Sequence, residues 1–199
     1  VLLDTADFDG DGVEEWLVAQ GRRLFVAQTD LQSFGRYFAF LGGRATMLFA
    51  GHFRGLASAE TCLIVKPTGA KALNGRRLVC YAIKRGKTNR KKTTIRRVIN
   101  QKSMFPTDGQ VLVGDFLGRG RDQILAYSLT SREIALYEFG KGGIALVASR
   151  EQVGLFAKRS LSAVRLEVGR IATTAKGTAL DGVLIHSTKT NIVEGYVSA

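Results

Sequence analysis

Apolar residues in this chain come in short runs separated by polar turns, and the runs are too short and too closely spaced for amphipathic helices. Val1-Leu2-Leu3, Met47-Leu48-Phe49 and Val111-Leu112-Val113 each precede a turn. Trp16-Leu17-Val18, Cys62-Leu63-Ile64 and Ile124-Leu125-Ala126 each follow one. No segment carries a sustained 3.6-residue period, and 151–158 offers one helical turn at most. The clearest stretch predicts strands near 110–116, 123–128, 133–139 and 144–149, joined by connections rich in Gly, Ser and charge, as antiparallel hairpins require. Gly140-Lys141-Gly142-Gly143 reads as one of these hairpin turns. No helix pattern follows it, so it is not a phosphate loop.

The same unit recurs along the chain. Asp7-Phe8-Asp9-Gly10 aligns with His52-Phe53-Arg54-Gly55 and with Asp115-Phe116-Leu117-Gly118, with Phe second and Gly fourth. Glu15, Glu60 and Gln123 stand eight residues after the respective first positions, and an apolar run follows each at once. A weaker fourth copy aligns at Gly169-Arg170-Ile171, with its next strand at Val183-Leu184-Ile185. From Asp7 to His52 is 45 residues, from His52 to Asp115 is 63, and from Asp115 to Arg170 is 55. Repeats of this length fit four-stranded propeller units, one of them with an insertion. The expected fold is therefore all-β: a partial β-propeller of about four antiparallel blades, 1–42, 43–104, 105–152 and 153–199, the last incomplete. Such an array can be a segment of a larger propeller. Two stacked antiparallel sheets would share much of the pattern.

Asp7-Phe8-Asp9-Gly10-Asp11-Gly12-Val13-Glu14-Glu15 resembles the FG-GAP/VCBS repeat of integrin-α-type propellers. In that family the loop between the first two strands of a blade binds calcium. The resemblance implies Asp7, Asp9, Asp11, the backbone carbonyl of Val13 and Glu15 as ligands, with Glu15 in a place the family usually gives to Asp. The spacing also makes physical sense. Calcium takes six to eight oxygens, and carboxylates at alternate positions of a tight loop can converge on one ion. Gly10 and Gly12 permit the positive φ angles of such a curl. The loop is expected to be firm with calcium and looser without it. An EF-hand begins alike, but its twelfth position needs a bidentate Glu and here is Val18.

The other copies lose these ligands and gain arginine: Arg54, Arg119 and Arg170. One expectation is that a guanidinium replaces the ion, Arg54 with Glu60 or Arg119 with Asp115; the plainer reading is surface arginine. His52 and His186 lack a second histidine at metal spacing and read as structural. Cys62 and Cys80 fall in adjacent strands and read as buried thiols. The strand aromatics, among them Trp16, Tyr37, Phe38, Phe40, Phe49, Tyr81, Tyr127 and Tyr137, read as packing between blades.

Charge adds one feature. The 199 residues are 45% apolar and 23% charged, a globular composition, with a net charge of +12. Much of the excess lies in the insertion: Lys84, Arg85, Lys87, Arg90, Lys91, Lys92, Arg96 and Arg97, with no acidic residue between Lys84 and Thr107. This reads as a hairpin between the third and fourth strands of the second copy, a site for an anionic partner. Stacking aromatics, which would favour nucleic acid, are absent from it. No apolar run is long enough for a membrane span, and neither a leader nor a glycosylation sequon is recognised. No nucleophile elbow, Walker loop, HExxH or paired catalytic carboxylates occur. The expected function is a non-catalytic protein-interaction scaffold, stabilised by calcium and working within a larger protein or complex. A nucleic-acid-associated subunit and a carbohydrate-binding propeller are the alternatives. The basic balance and the absent sequons favour an intracellular location, though calcium loops of this kind often belong to extracellular proteins.

Overall fold

The computed structural model describes residues 1–27, 37–68, 75–84, 94–106, 109–128, 130–131, 133–140, 142–151, 164–173, 179–187 and 193–196. Among these every regular element is a strand. The first sheet is β1 (Leu2–Ala6), β2 (Glu15–Gln20), β3 (Arg23–Ala27) and β4 (Tyr37–Phe40). The second is β5 (Gly43–Gly51), β6 (Glu60–Pro67), β7 (Arg77–Lys84) and β8 (Thr94–Lys102). The third is β9 (Gln110–Gly114), β10 (Gln123–Tyr127), β11 (Glu133–Gly140) and β12 (Gly143–Glu151). The fourth has β13 (Val164–Thr173), β14 (Ala179–Ser187) and β15 (Val193–Tyr196). Each sheet is an antiparallel meander in which strands pair in chain order.

Short connections explain the meander, because antiparallel neighbours can be joined by a tight turn whereas parallel ones need a long crossover. The interior strands β6 and β10 are buried on both faces, which is why Thr61-Cys62-Leu63-Ile64-Val65 and Ile124-Leu125-Ala126-Tyr127 read as unbroken runs. Strand β2 instead alternates: Glu15, Leu17 and Ala19 face inward and Trp16 is exposed. Trp16 thus departs from the expected packing role, whereas Phe49, Tyr81, Tyr127 and Tyr137 are buried as expected. Of Tyr37, Phe38 and Phe40 the side chains lie outside the described residues.

The chain forms two compact units. The first holds Val1–His52 and Leu56–Met104. Its core lies between the first two sheets and gathers Phe8, Leu17, Leu24, Val26, Leu63 and Val79, among others. The second holds Phe53–Gly55 and Phe105–Ala199. Its core joins Phe116, Leu125, Tyr127 and Leu136 of the third sheet and its loop to Leu166 and Val183 of the fourth. In this unit Phe53 stacks on Phe139, ring centroids 4.6 Å apart. Gly114 is a point of close approach: a Cβ there would meet Val168 Cγ1 at 2.9 Å.

Two expectations are corrected. Cys62 and Cys80 are not thiols; they stand opposite one another in the β6–β7 register and form a disulfide. The fourth copy does not turn at Gly169-Arg170-Ile171, because β13 runs through these residues with a bulge between Arg170 and Ala172. There the chain stays paired, Gly169 with Gly182 and Arg170 with Asp181.

Candidate metal centre and the loops that repeat it

Three loops join the first two strands of the first three sheets, and they share one construction. The Phe in second place is buried in each: Phe8, Phe53 and Phe116. The Gly in fourth place has positive φ in each, 76° at Gly10, 65° at Gly55 and 61° at Gly118, where a side chain would be strained. The residue in ninth place opens the next strand and is buried in each: Glu15, Glu60 and Gln123.

In the first loop carboxylates satisfy backbone donors. Asp7 Oδ1 accepts from Gly10 N at 2.6 Å and Asp11 N at 3.0 Å, and its Oδ2 accepts from Gly12 N at 2.9 Å. Glu15 Oε2 accepts from Phe8 N at 2.8 Å and Asp9 N at 3.2 Å. Asp7, Asp9 and Glu15 come together, each offering an oxygen within 4.8 Å of the others. Of the four expected carboxylate ligands, the structure therefore groups three. Asp11 stands outside the group and its Oδ1 accepts from Val13 N. Oxygen donors of this kind suit a hard cation such as calcium. Burial pushes the Glu15 carboxyl up to about 7; Asp9 and Asp11 add to the rise, and the amide bonds from Phe8 and Asp9 oppose it.

The third loop makes several of the same bonds without the acidic set. Asp115 accepts from Arg119 N and Gly120 N, both at 2.8 Å. Gln123 Oε1 accepts from Leu117 N at 2.9 Å, as Glu15 does from Asp9, and Gln123 Nε2 donates to the Arg121 carbonyl at 2.6 Å. Arg121 is the counterpart of Val13. One neutral amide therefore ties the third-place N–H to the seventh-place carbonyl.

This corrects the proposed pairing of Arg119 with Asp115. The Arg119 guanidinium turns to Glu138 on β11, with Nη1 at 2.8 and 2.9 Å from its two carboxylate oxygens, and Arg121 joins it at 2.7 Å. Only the backbone of Arg119 reaches Asp115. In the second loop Arg54 is exposed and Glu60 is fully buried. There the His52 Nδ1 donates to the Leu56 carbonyl at 3.0 Å, so an imidazole holds the turn where the first loop uses a carboxylate. Asp115→Ala should therefore lower stability by about 2 kcal/mol, since two backbone donors lose their acceptor. Arg119→Ala should cost less than about 1 kcal/mol, because a half-exposed ion pair contributes little. Urea denaturation of the two variants gives the comparison.

The first and third loops are each also tied by a backbone amide to the next repeat. Ala59 N donates to the Asp7 carbonyl at 2.8 Å, and Asp181 N donates to the Asp115 carbonyl at 3.2 Å. Asp181 Oδ2 accepts in return from Asp115 N at 2.8 Å. Asp181 belongs to no expected site; only its place in β14, known from the register, brings it to Asp115.

β7 and β8, the expected arms of the basic hairpin, pair antiparallel with Lys84 opposite Thr94. Arg96 and Arg97 are exposed on β8. Arg85, Lys87, Arg90, Lys91 and Lys92 lie outside the described residues. His186 lies in β14 opposite Arg165 and Val193. Among the described residues no helix is long and apolar enough to cross a membrane.

No protein-family model matches this chain. No curated protein matches it either. Among solved structures it is similar to a lectin of Agrocybe aegerita, described as recognising non-reducing terminal N-acetylglucosamine, with 11% identity and a TM-score of 0.40. The match covers 93% of this chain and 60% of the lectin chain. A likeness at that level carries neither fold nor ligand across.

Proposed function

We propose that this chain is a non-catalytic protein-interaction module whose meanders are propeller blades of the FG-GAP type, with one calcium ion held by the first loop. The observation that carries this reading is the threefold loop, with its buried Phe, positive-φ Gly and buried ninth-place acceptor. The amide tie made to both the first and the third loop supports it as well. Among the described residues only the first copy keeps a converging set of carboxylates. A rigid scaffold of repeated sheets presents its loops and the β7–β8 hairpin to a partner. The disulfide favours an oxidising compartment, against the intracellular expectation.

Calorimetric titration of chelator-treated protein tests the metal. One Ca²⁺ per chain should bind and raise the melting temperature, and Asp9→Asn should abolish both effects. Absence of binding in the unsubstituted protein would refute the calcium reading. For the scaffold role, crosslinking in the native source should give a complex of fixed stoichiometry; a chain that stays solitary there would count against it. The exposed Arg96 and Arg97 favour a second reading, contact with nucleic acid through the hairpin. That reading requires duplex affinity that falls steeply with salt and with neutralisation of both arginines.

A further inference from the structure

At the end of the first unit remote from the acidic loop, a half-open cleft of about 350 Å³ lies beside the core. Glu60 and Val65 mark the two ends, about 17 Å apart along β6. The floor is apolar: Leu41, Val65 and Val79 belong to the core and are 6%, 2% and 3% exposed. One wall is the β4–β5 connection at Leu41 and Gly42. It is fixed to the β2–β3 turn by Leu41 N to the Arg22 carbonyl at 3.0 Å and Ala45 N to the Gly21 carbonyl at 3.1 Å. The lining also includes Arg77 on β7 and Arg97 on β8, and it includes no carboxylate.

Arg77 is held in place from one side. Its Nε donates to Asn100 Oδ1 at 2.6 Å and its Nη2 to the Asn100 carbonyl at 3.0 Å. A guanidinium oriented in this way loses little rotamer freedom when it binds an oxyanion. Arg97 supplies a second positive charge to the lining.

We propose that this cleft binds a small amphipathic anion: an apolar ring or short chain carrying one phosphate or carboxylate. The apolar body would cover the floor, and the oxyanion would sit between the two arginines, whose planar donors suit it. The cleft lies near the lower end of the size range of ligand sites, which is about 300–1,000 Å³. That excludes a large cofactor and admits a bicyclic ring with one head group. The inference is independent of calcium, since none of its residues belongs to the acidic loop.

The test is a titration of 1-naphthyl phosphate into the full chain, followed by calorimetry and by amide chemical shifts. Saturable binding with a Kd of about 0.1–1 mM is expected for a ligand of this size. Neutral 2-naphthol and inorganic phosphate, each lacking one half of the recognition, should bind at least about tenfold more weakly. Arg97→Gln should weaken 1-naphthyl phosphate by about tenfold. Arg44→Gln removes a charge from exposed β5, outside the lining, and should leave the affinity unchanged. Both variants replace exposed side chains, and circular dichroism checks that each is folded. No saturation, full affinity in Arg97→Gln, equal losses in both variants, or inorganic phosphate binding as well as the naphthyl compound would each overturn the proposal.

Discussion

Without calcium, the Glu15 carboxyl should cost the fold about 3 kcal/mol as the pH rises from 4.5 to about 7, and calcium should cancel that loss. Glu15 is 3% exposed and its folded-state pKa lies above its unfolded one. Between the two values the folded chain holds a proton that the unfolded chain has released. Stability is then full below the lower value, falls through the window, and stays low above the upper one. A divalent ion beside Glu15 favours the ionised carboxylate and removes the reason for the fall. Glu15→Gln isolates this contribution from the other carboxylates. The third loop shows that Gln fits the position: its oxygen accepts from the third-place N–H and its nitrogen satisfies the seventh-place carbonyl. In Glu15→Gln that carbonyl is Val13. The variant should therefore exceed the unsubstituted protein in stability at pH 8 in chelator, and it should gain nothing from calcium. Urea denaturation against pH, with and without Ca²⁺, reads both effects. Parallel pH profiles for the two proteins in chelator would refute the assignment.

The same loops show what a sequence can and cannot specify. Phe8, Phe53 and Phe116, with Gly10, Gly55 and Gly118, were legible because each acts locally: the ring fills the core under its own turn, and the glycine takes the φ the turn demands. The strands of the third sheet were legible from short apolar runs and turn chemistry. Partners that depend on register were not. Glu138 lies 19 residues beyond Arg119, and only the β10–β11 pairing brings it to the loop. The fourth copy was misplaced because a bulged strand and a turn share small and polar residues, and Gly169-Arg170 fits either. The expected pairing of Arg119 with Asp115 does not form for a related reason. Charge makes arginine conspicuous in the sequence, while the substitution that completes the third loop is a neutral one, Gln for Glu in ninth place. The cleft at Arg77 and Arg97 left no motif, since its lining comes from four separate stretches of chain.

Replacing both Cys62 and Cys80 by Ala should lower stability by about 3 kcal/mol, the scale expected for opening a loop of this length. The two residues are 18 apart in sequence and face each other across β6 and β7, interior strands of the second sheet. The crosslink restrains the unfolded chain around the segment that joins them. Neither residue is accessible to solvent. A reductant therefore reaches the bond only when the strands open, and reduction should follow the opening equilibrium rather than reductant concentration alone. Urea below the unfolding midpoint should accelerate it. Thiol labelling read by mass spectrometry gives the rate, and thermal denaturation of oxidised, reduced and doubly substituted protein gives the stability. Single replacement leaves a free thiol in the core, so the double variant is the cleaner comparison. Rapid labelling of both sulfurs in folded, unreduced protein would show that the bond does not form, and equal melting temperatures for all three species would show that it contributes nothing.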